Sequence, residues 1–301
     1  MNDHMSRPTD TMTPAVPLAP TPRPTYDGPA HIPASAAAQH LWGDQESGHV
    51  ADWVYASTSK IHHLVFGLAP GRSFRHSPDF RTVFAADELL YVLSGTMVIV
   101  NPQLGEVNRI ETGATVFFRR DTWHHAFAFG PEPLRVLEFF APPPAAGTSS
   151  SYARAQPYLD ESSYRDDRWL GRWPAARAER DAKATIVPIA PGDVLWMMDG
   201  HDTLVGIHAS TEHLTAGVIE QRPGATAPRS HGGDASFHVV RGTQYMLITA
   251  IDGEPTVGKR WYELQPGDGF YVPEGTTYEL HNVGAETTEL VFAVAPSYDP
   301  R

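Results

Sequence analysis

The sequence has no cysteine, few positive charges and no long apolar run. Without cysteine, its 301 residues exclude disulfides, thiolate metal sites and cysteine nucleophiles. Lys and Arg number 23 against 35 Asp and Glu, a formal net charge of −12, and they form no cluster. This argues against a nucleic-acid partner, because phosphate contacts need clustered Lys and Arg. No apolar run approaches the roughly 18 residues that cross a bilayer, so we expect no membrane insertion.

The start of the chain also lacks a positively charged head followed by an apolar stretch, so no signal peptide is predicted and we expect a cytoplasmic protein. Residues 1–38 are instead rich in Pro, Thr and Ala. A segment of this composition buries too little apolar surface to fold on its own. We therefore expect a disordered, Pro-rich arm.

Beyond the arm the chain repeats itself. Short apolar runs separated by Gly, Pro and Asp recur through both halves, a spacing typical of an antiparallel sandwich or barrel. The stretch YASTSKIHHLVFGLAPG at 55–71 aligns without a gap with HASTEHLTAGVIEQRPG at 208–224. A duplication of this kind indicates two copies of one β-domain.

Three further segments follow from this duplication. They are an N-terminal barrel at 39–142, a linker at 143–193 and a C-terminal barrel at 194–301. The linker stretch RWPAARAERDAKA at 172–184 predicts a short surface helix, because Pro stands near its first turn.

The repeated halves resemble the cupin superfamily. Its first motif is G-x5-H-x-H-x3/4-E-x6-G and its second is G-x5-P-x-G-x2-H-x3-N. In the first copy Glu88 and Gly95 have the spacing that ends motif one, and residues 113–124 fit motif two up to His124, with Arg and Asp replacing Pro and Gly. The resemblance covers about residues 40–142 and 194–298 and implies an all-β chain of two tandem jelly-roll barrels.

The resemblance also implies a divalent metal, because the His and Glu residues of the motifs are the family's ligands. The H-x-H pair is missing before Glu88, but alignment from the Pro-Gly turns places His76 opposite the first His position, with a loop insertion after it. His76, Glu88 and His124 then form a 2-His-1-carboxylate set, which leaves coordination positions open as in non-haem Fe(II) oxygenases. Fe(II) is favoured, and Mn, Ni or Zn are alternatives. Glu88 alternates with Leu90 and Val92 and should face the barrel interior.

The second copy keeps the fold motif and loses the ligands. Tyr278 stands at the His position of motif two, and counting back from Gly242 places Arg229, His231 and Ala235 at the positions of motif one. A single imidazole does not hold a metal firmly, so we interpret this barrel as metal-free. Arg229, His231 and Tyr278 are nevertheless polar and could form a second ligand pocket.

Adjacent histidines in the first strand add one more candidate. Because side chains alternate along a strand, either His62 or His63 must face inward. His63 is a candidate fourth ligand or substrate contact, and the alternative is a satisfied core histidine.

The predicted function is a metal-dependent, dioxygenase-type oxidoreductase that acts on a small molecule in the N-terminal barrel. Fold alone does not select a reaction, because bicupins also include decarboxylases, isomerases and lyases. The alternatives are a metal-independent cyclase, isomerase or lyase, and a non-enzymatic bicupin that binds a small ligand. A homodimer is possible, since cupins commonly pair through edge strands, but the two barrels of one chain can also form a pseudo-dimer.

Overall fold

A computed structural model gives the structure of this chain and describes residues 20–143, 151–159, 161–163, 182–229, 231–251 and 260–296. These residues form strands almost throughout, which confirms the all-β prediction. No helix among them is long and apolar enough to cross a bilayer.

The strands of the first half are β1 Ala30–Ile32, β2 Ala38–Asp44, β3 Gly48–Ser57, β4 His62–Leu68, β5 Ser73–Phe74, β6 Asp87–Ser94, β7 Thr96–Asn101, β8 Glu106–Glu111, β9 Thr115–Phe118, β10 His125–Ala128 and β11 Leu134–Ala141. Those of the second half are β12 Ile186–Ile189, β13 Leu195–Asp199, β14 Thr203–Ser210, β15 Thr215–Gln221, β16 Thr226–Arg229, β17 Asp234–Arg241, β18 Gln244–Ile251, β19 Arg260–Leu264, β20 Gly269–Val272, β21 Thr276–His281 and β22 Thr288–Ala295. Within the described residues they are accompanied by a short α-helix, α1 Ser151–Ala155, and by 3-10 turns at Ala34–Ala36 and Pro191–Asp193.

The strands build two jelly-roll barrels of the same design. In the first, a sheet ordered β12-β9-β6-β11-β4-β3-β2 faces a smaller sheet ordered β5-β10-β7-β8. In the second, β1-β20-β17-β22-β15-β14-β13 faces β16-β21-β18-β19. The two orders correspond strand by strand, as the duplication predicts.

Strand β6, DELLYVLS, illustrates why the large sheets read as almost continuous apolar runs. Leu90 and Val92 point into the first barrel, whereas Leu89 and Tyr91 belong to an apolar cluster that both barrels share. Both faces of the strand are therefore buried, and alternation of apolar and polar residues disappears from the sequence.

The shared cluster joins the outer faces of the two large sheets. Val65 and Phe139 from the first barrel meet Leu214, Tyr271 and Val291 from the second in one group of buried side chains. The barrels thus pack back to back over an apolar interface, and each keeps its own interior on the opposite face of its large sheet.

Each barrel also receives an edge strand from outside its own segment. Ala30–Ile32 pairs with Gly269–Tyr271 in the second barrel, and Ile186–Ile189 pairs with Thr115–Phe118 in the first. We expected residues up to 38 to stay unpacked, but β1 is held by backbone hydrogen bonds to β20, which supply the stability that its composition lacks. The segment boundaries at 38 and 193 otherwise remain a proposal.

The structure also bears on two smaller features of the sequence, the predicted linker helix and the residue that replaces Gly in the second motif. The linker contains a short helix, α1, but most of the helix predicted at 172–184 lies outside the described residues. Asp121, which replaces the second-motif Gly, has a φ of 66°, close to the 80° of Gly275 in the other copy. The turn therefore requires the left-handed region, which Asp tolerates better than most residues with a side chain.

Candidate metal site in the N-terminal barrel

Two buried carboxylates project into the first barrel from neighbouring strands. Glu88 begins the inward series of β6, and Glu138 takes an inward position on β11 between Val136 and Phe140. In the register of the sheet Glu88 lies opposite Phe140, and Glu138 lies opposite Leu90. The two acids are therefore diagonal neighbours on one face of the sheet.

His124 joins this pair from the loop before β10. Its ring Nδ1–H donates to the backbone carbonyl of Thr122 at 3.2 Å. Because a carbonyl can only accept, this bond leaves Nε2 with its lone pair, and Nε2 lies 3.8 Å from Oε2 of Glu88. A backbone carbonyl that fixes the tautomer in this way is the usual support of a metal-ligating imidazole.

The three side chains fit a divalent metal. One ligand atom from each of Glu88, His124 and Glu138 lies within 4.8 Å of the other two, and it is the only such group among the described residues. A metal with bonds of about 2.1 Å separates its ligand atoms by about 3–4.2 Å, so small movements suffice. Oε2 of Glu88 is buried without a hydrogen-bond partner in the described structure, which leaves an acceptor for a cation.

Burial sets the protonation of the group. It raises the pKa of Glu88 well above its usual range, and the neighbouring Glu138 adds to the effect. The pKa of Glu138 is raised to about 8, first by burial and then by Asp52, whose own pKa burial raises to about 8. Burial lowers the pKa of His124 to about 4. Buried acids require a proton or a cation, and a divalent metal would favour their ionised form.

A small cavity adjoins the cluster and includes His124 and Glu138 in its wall. The cavity has a volume of about 40 Å³, enough for a few waters or a compact ligand. Asp52 reaches the same cavity from β3, where it alternates with Val50 and Val54. The cavity therefore combines the candidate ligands with one further acid.

The second barrel shows which other residues the same positions can hold. Ala235 corresponds to Glu88, and Tyr278 corresponds to His124. The pairing of β22 with β17 and β15, and of β15 with β14, places Phe292 at the position of Glu138 and Val205 at the position of Asp52. The same fold thus accepts uncharged residues at all these points, so the acids of the first barrel are not required by the architecture.

The structure does not bring His76 to Glu88 and His124. Its Nδ1 lies 2.5 Å from Nε2 of His125, and its Nε2–H donates to the carbonyl of Leu159 at 3.1 Å. The loop after β5 turns His76 away from the barrel interior. There the side chain lies against Tyr158 and Leu159 of the linker. The alignment itself holds, because the pairing of β5 with β10 and of β16 with β21 places His76 opposite Arg229 of the second copy. The third member of the buried group with Glu88 and His124 is Glu138.

His63 lies on the outer face of the first barrel, away from the cavity. Its Nδ1 is 2.8 Å from Oγ of Ser236 in the other barrel, and its ring stacks on Tyr55 with centroids 4.7 Å apart. His62 is the inward member of the pair, opposite Phe140 in the register. His63 is therefore an interface residue in this structure and not a fourth ligand of the first barrel.

The three polar residues of the second barrel are buried and form two separate contacts. Nε2 of His231 lies 2.6 Å from the hydroxyl of Tyr278. Arg229 donates to Oδ2 of Asp199 at 2.6 Å. This arrangement contains one imidazole. The interpretation of this barrel as metal-free and its use as a ligand pocket both stay predictions.

Sequence reasoning missed Glu138 and Asp52, although a signal existed. In LRVLEFFA the series Leu134, Val136, Glu138 and Phe140 is inward, so an acid interrupts an apolar series at its centre. An acid at an inward position of a buried strand is rare unless it is paired or bound to a metal.

Comparison with known proteins places these observations in a family. The family model described as cupin domain matches residues 68–140 and 217–294, just over half of the chain. A search of curated proteins finds no match.

Solved structures share the fold at low identity. A variant of oxalate decarboxylase from Bacillus subtilis has a TM-score of 0.62 at 13% identity, covering 92% of this chain and 80% of its own. Oxalate decarboxylase from Lactobacillus farciminis, in a formate complex, has a TM-score of 0.62 at 12% identity, covering 94% and 91%. A protein from Pseudomonas aeruginosa described as glyoxylate-induced has a TM-score of 0.62 at 12% identity, covering 96% and 95%.

Proposed function

The chain belongs to the cupin family and carries two cupin domains in tandem, and on this basis we propose that it is a metal-dependent enzyme that oxidises a small organic molecule in its N-terminal barrel. The observation that carries the proposal is the buried group of Glu88, His124 and Glu138. An acceptor oxygen of Glu88 has no partner in the described structure, and His124 and Glu138 stand in the wall of a cavity. Their absence from the second copy supports a function for them beyond folding.

The donor set favours Fe(II) or Mn(II). Two carboxylates and one imidazole make an oxygen-rich site, which suits Fe(II) and Mn(II). Zn and Cu(I) favour sites with softer ligands. When bound, such a metal would supply Lewis acidity and, with O2 as co-substrate, the redox chemistry of an oxygenase.

The remaining groups of the cavity have roles that follow from their surroundings. The Thr122 carbonyl orients the His124 ring, so that Nε2 faces the carboxylates. Asp52 lies in the wall of the cavity with a pKa of about 8, because burial disfavours its charged form. In the metal-free protein it therefore holds a proton at neutral pH, and we propose it as a general acid toward a bound substrate.

Metal content tests the proposal directly. Purified protein is reconstituted without oxygen with Fe(II) or Mn(II), and bound metal is measured by elemental mass spectrometry. We expect about one metal per chain in the wild type, and at least a tenfold loss of affinity in Glu88→Gln, Glu138→Gln and His124→Ala. His76→Ala is the matched control and should keep its metal, because His76 is bonded elsewhere.

Two results would contradict this assignment in different ways. Metal loss in His76→Ala with retention in Glu138→Gln would restore the ligand set that the sequence suggested. A wild type that stays empty after reconstitution would end the metal-dependent proposal, and the protein would then be tested as a metal-free isomerase or as a binding protein.

A further inference from the structure

The walls of the N-terminal cavity carry information about the ligand that fits it. One side is apolar and mostly aromatic, formed by Trp42, Val50, Phe66, Phe74 and Phe84. All five are buried, with exposures of 2–7%. Among these five residues only Trp42 carries a polar atom, Nε1, which has no partner in the described structure. A ligand held here must present a mostly apolar body, since a polar group facing the other four side chains would lose its hydration without a partner.

The polar groups of the cavity are neighbours of one another. Glu138 lies near His124 and Asp52, and the backbone N–H of His124 donates to the carbonyl of Thr82. His124 and Glu138 belong to the candidate metal site, and Asp52 and Thr82 complete the polar wall. This distribution matches a molecule with one polar edge, such as a hydroxyl or carbonyl group, that meets the ligand cluster.

Charge is the strongest discriminator. The described wall of the cavity contains no Lys or Arg. It includes the buried acids Asp52 and Glu138, and Glu88 lies next to Glu138. Two ionised glutamates already balance the two charges of a divalent metal. A carboxylate ligand would then add buried negative charge without a cationic partner, which is strongly unfavourable.

Size sets a further limit, because the free space is small and every lining residue is buried. We propose that the cavity takes a compact, uncharged molecule with an apolar body and one hydroxyl or carbonyl edge, and that it rejects small carboxylates such as oxalate. This inference rests on the proposed function, since it names the substrate class of the same site. It separates this chain from the oxalate decarboxylases whose fold it shares.

Calorimetric titration of the metal-loaded protein with three probes tests the inference. Phenol represents the uncharged class, benzoate adds a carboxylate to the same ring, and oxalate is a small dianion. We expect phenol to bind at least tenfold more tightly than benzoate, and oxalate to give no measurable binding to the protein. Tighter binding of benzoate or oxalate than of phenol would overturn the proposal.

Cavity-filling variants show whether phenol occupies this cavity. Val50→Phe should reduce phenol affinity at least tenfold while metal content stays near one per chain. Val187→Phe, at a position that is 44% exposed on β12, is the control and should bind phenol normally. Thr82→Leu, on the polar wall, provides a second test if Val50→Phe does not fold. Unchanged phenol binding in the folded variants would place the ligand elsewhere and contradict the inference.

The two proposals fail separately. A protein that binds no metal but still prefers phenol in this cavity would contradict the metal-dependent function and keep the ligand class. A protein that binds metal through Glu88, His124 and Glu138 but prefers oxalate would keep the function and contradict the ligand class.

Discussion

At the scale of the residue, the most informative groups are acids placed where the fold does not need them. Asp52, Glu88 and Glu138 face an apolar barrel interior, and the second barrel fills the same positions with Val205, Ala235 and Phe292. Buried acids destabilise a folded chain unless a proton or a cation accompanies them. These acids therefore lower the stability of the metal-free protein, and functional sites often reduce stability in this way.

Asp52 gives this cost a measurable pH dependence. Its pKa is about 8 in the folded protein against an ordinary value of 3.8, because burial disfavours the charge. The folded state therefore holds the proton more tightly than the unfolded state, and stability is lost as the pH rises from about 4 to about 8. In metal-free protein, Asp52→Asn should raise Tm by about 6 °C more at pH 8 than at pH 5.

Thermal unfolding in the presence of a chelator checks this expectation, and Asp79→Asn on an exposed loop is the control. A gain in Tm that is equal at both pH values would show that Asp52 is ionised in the folded barrel.

The sequence predicts part of this site for a physical reason. Glu88 and His124 stand at motif spacings that strand geometry fixes, so both could be identified without a structure. Glu138 lies outside either motif and meets them only through the pairing of β11 with β6. His76 does stand at the aligned position, but it lies just beyond the end of β5, and its ring contacts His125 and Leu159. Strand alternation does not fix where a side chain points once the strand has ended.

At the scale of the element, the main departure from expectation is that each barrel takes an edge strand from outside its own segment, β12 in the first barrel and β1 in the second. β1 has three residues, and its partner in the second barrel lies far along the chain, so no local pattern announces the pairing. A side-chain contact reinforces it, since Nε2 of His31 lies 2.8 Å from Oδ2 of Asp268. Ile32 is 3% exposed within the cluster that the two barrels share. The central strands of the large sheets, such as β4, β6 and β11, were predictable because each is seven or eight residues long and mostly apolar.

Truncation of Ile32 tests the contribution of β1. Ile32→Ala should lower the free energy of unfolding by about 2 kcal/mol, at the lower end for a buried Ile, because β1 is a short edge strand. Leu41→Ala, at a position that is 48% exposed, should change it by less than about 0.5 kcal/mol. Urea denaturation measures both, and equal effects would mean that β1 does not stabilise the second barrel.

At the scale of the whole molecule, the interface between the barrels contains buried imidazoles. The ring centroids of His63 and His238 are 5.5 Å apart, and both rings contact Tyr55. Burial lowers the pKa of His238 to about 4 and that of His63 well below its usual range. Both are therefore neutral in the folded protein, and the interface is sensitive to acid.

His238 permits a test of this sensitivity. Between pH 6.5 and about 4 the unfolded chain binds a proton at this residue that the folded chain does not, so stability falls as the pH falls. His238→Phe should reduce this dependence by up to one proton. Denaturant unfolding at pH 6.5, 5.5 and 5 measures the slope, and His49→Gln on an exposed position should leave it unchanged. An unaltered slope in His238→Phe would show that His238 charges within the folded interface.

The exchange of edge strands has a consequence during synthesis on the ribosome. His31 and its partner Asp268 are separated by 237 positions. At about 5–20 residues per second, β1 leaves the ribosome roughly 10–50 s before β20 exists to receive it. The first barrel likewise lacks its outer strand β12 until translation passes residue 189. The nascent chain must therefore keep β1 unpaired until β20 is made, and it must keep the β9 edge of the first barrel open until β12 is made.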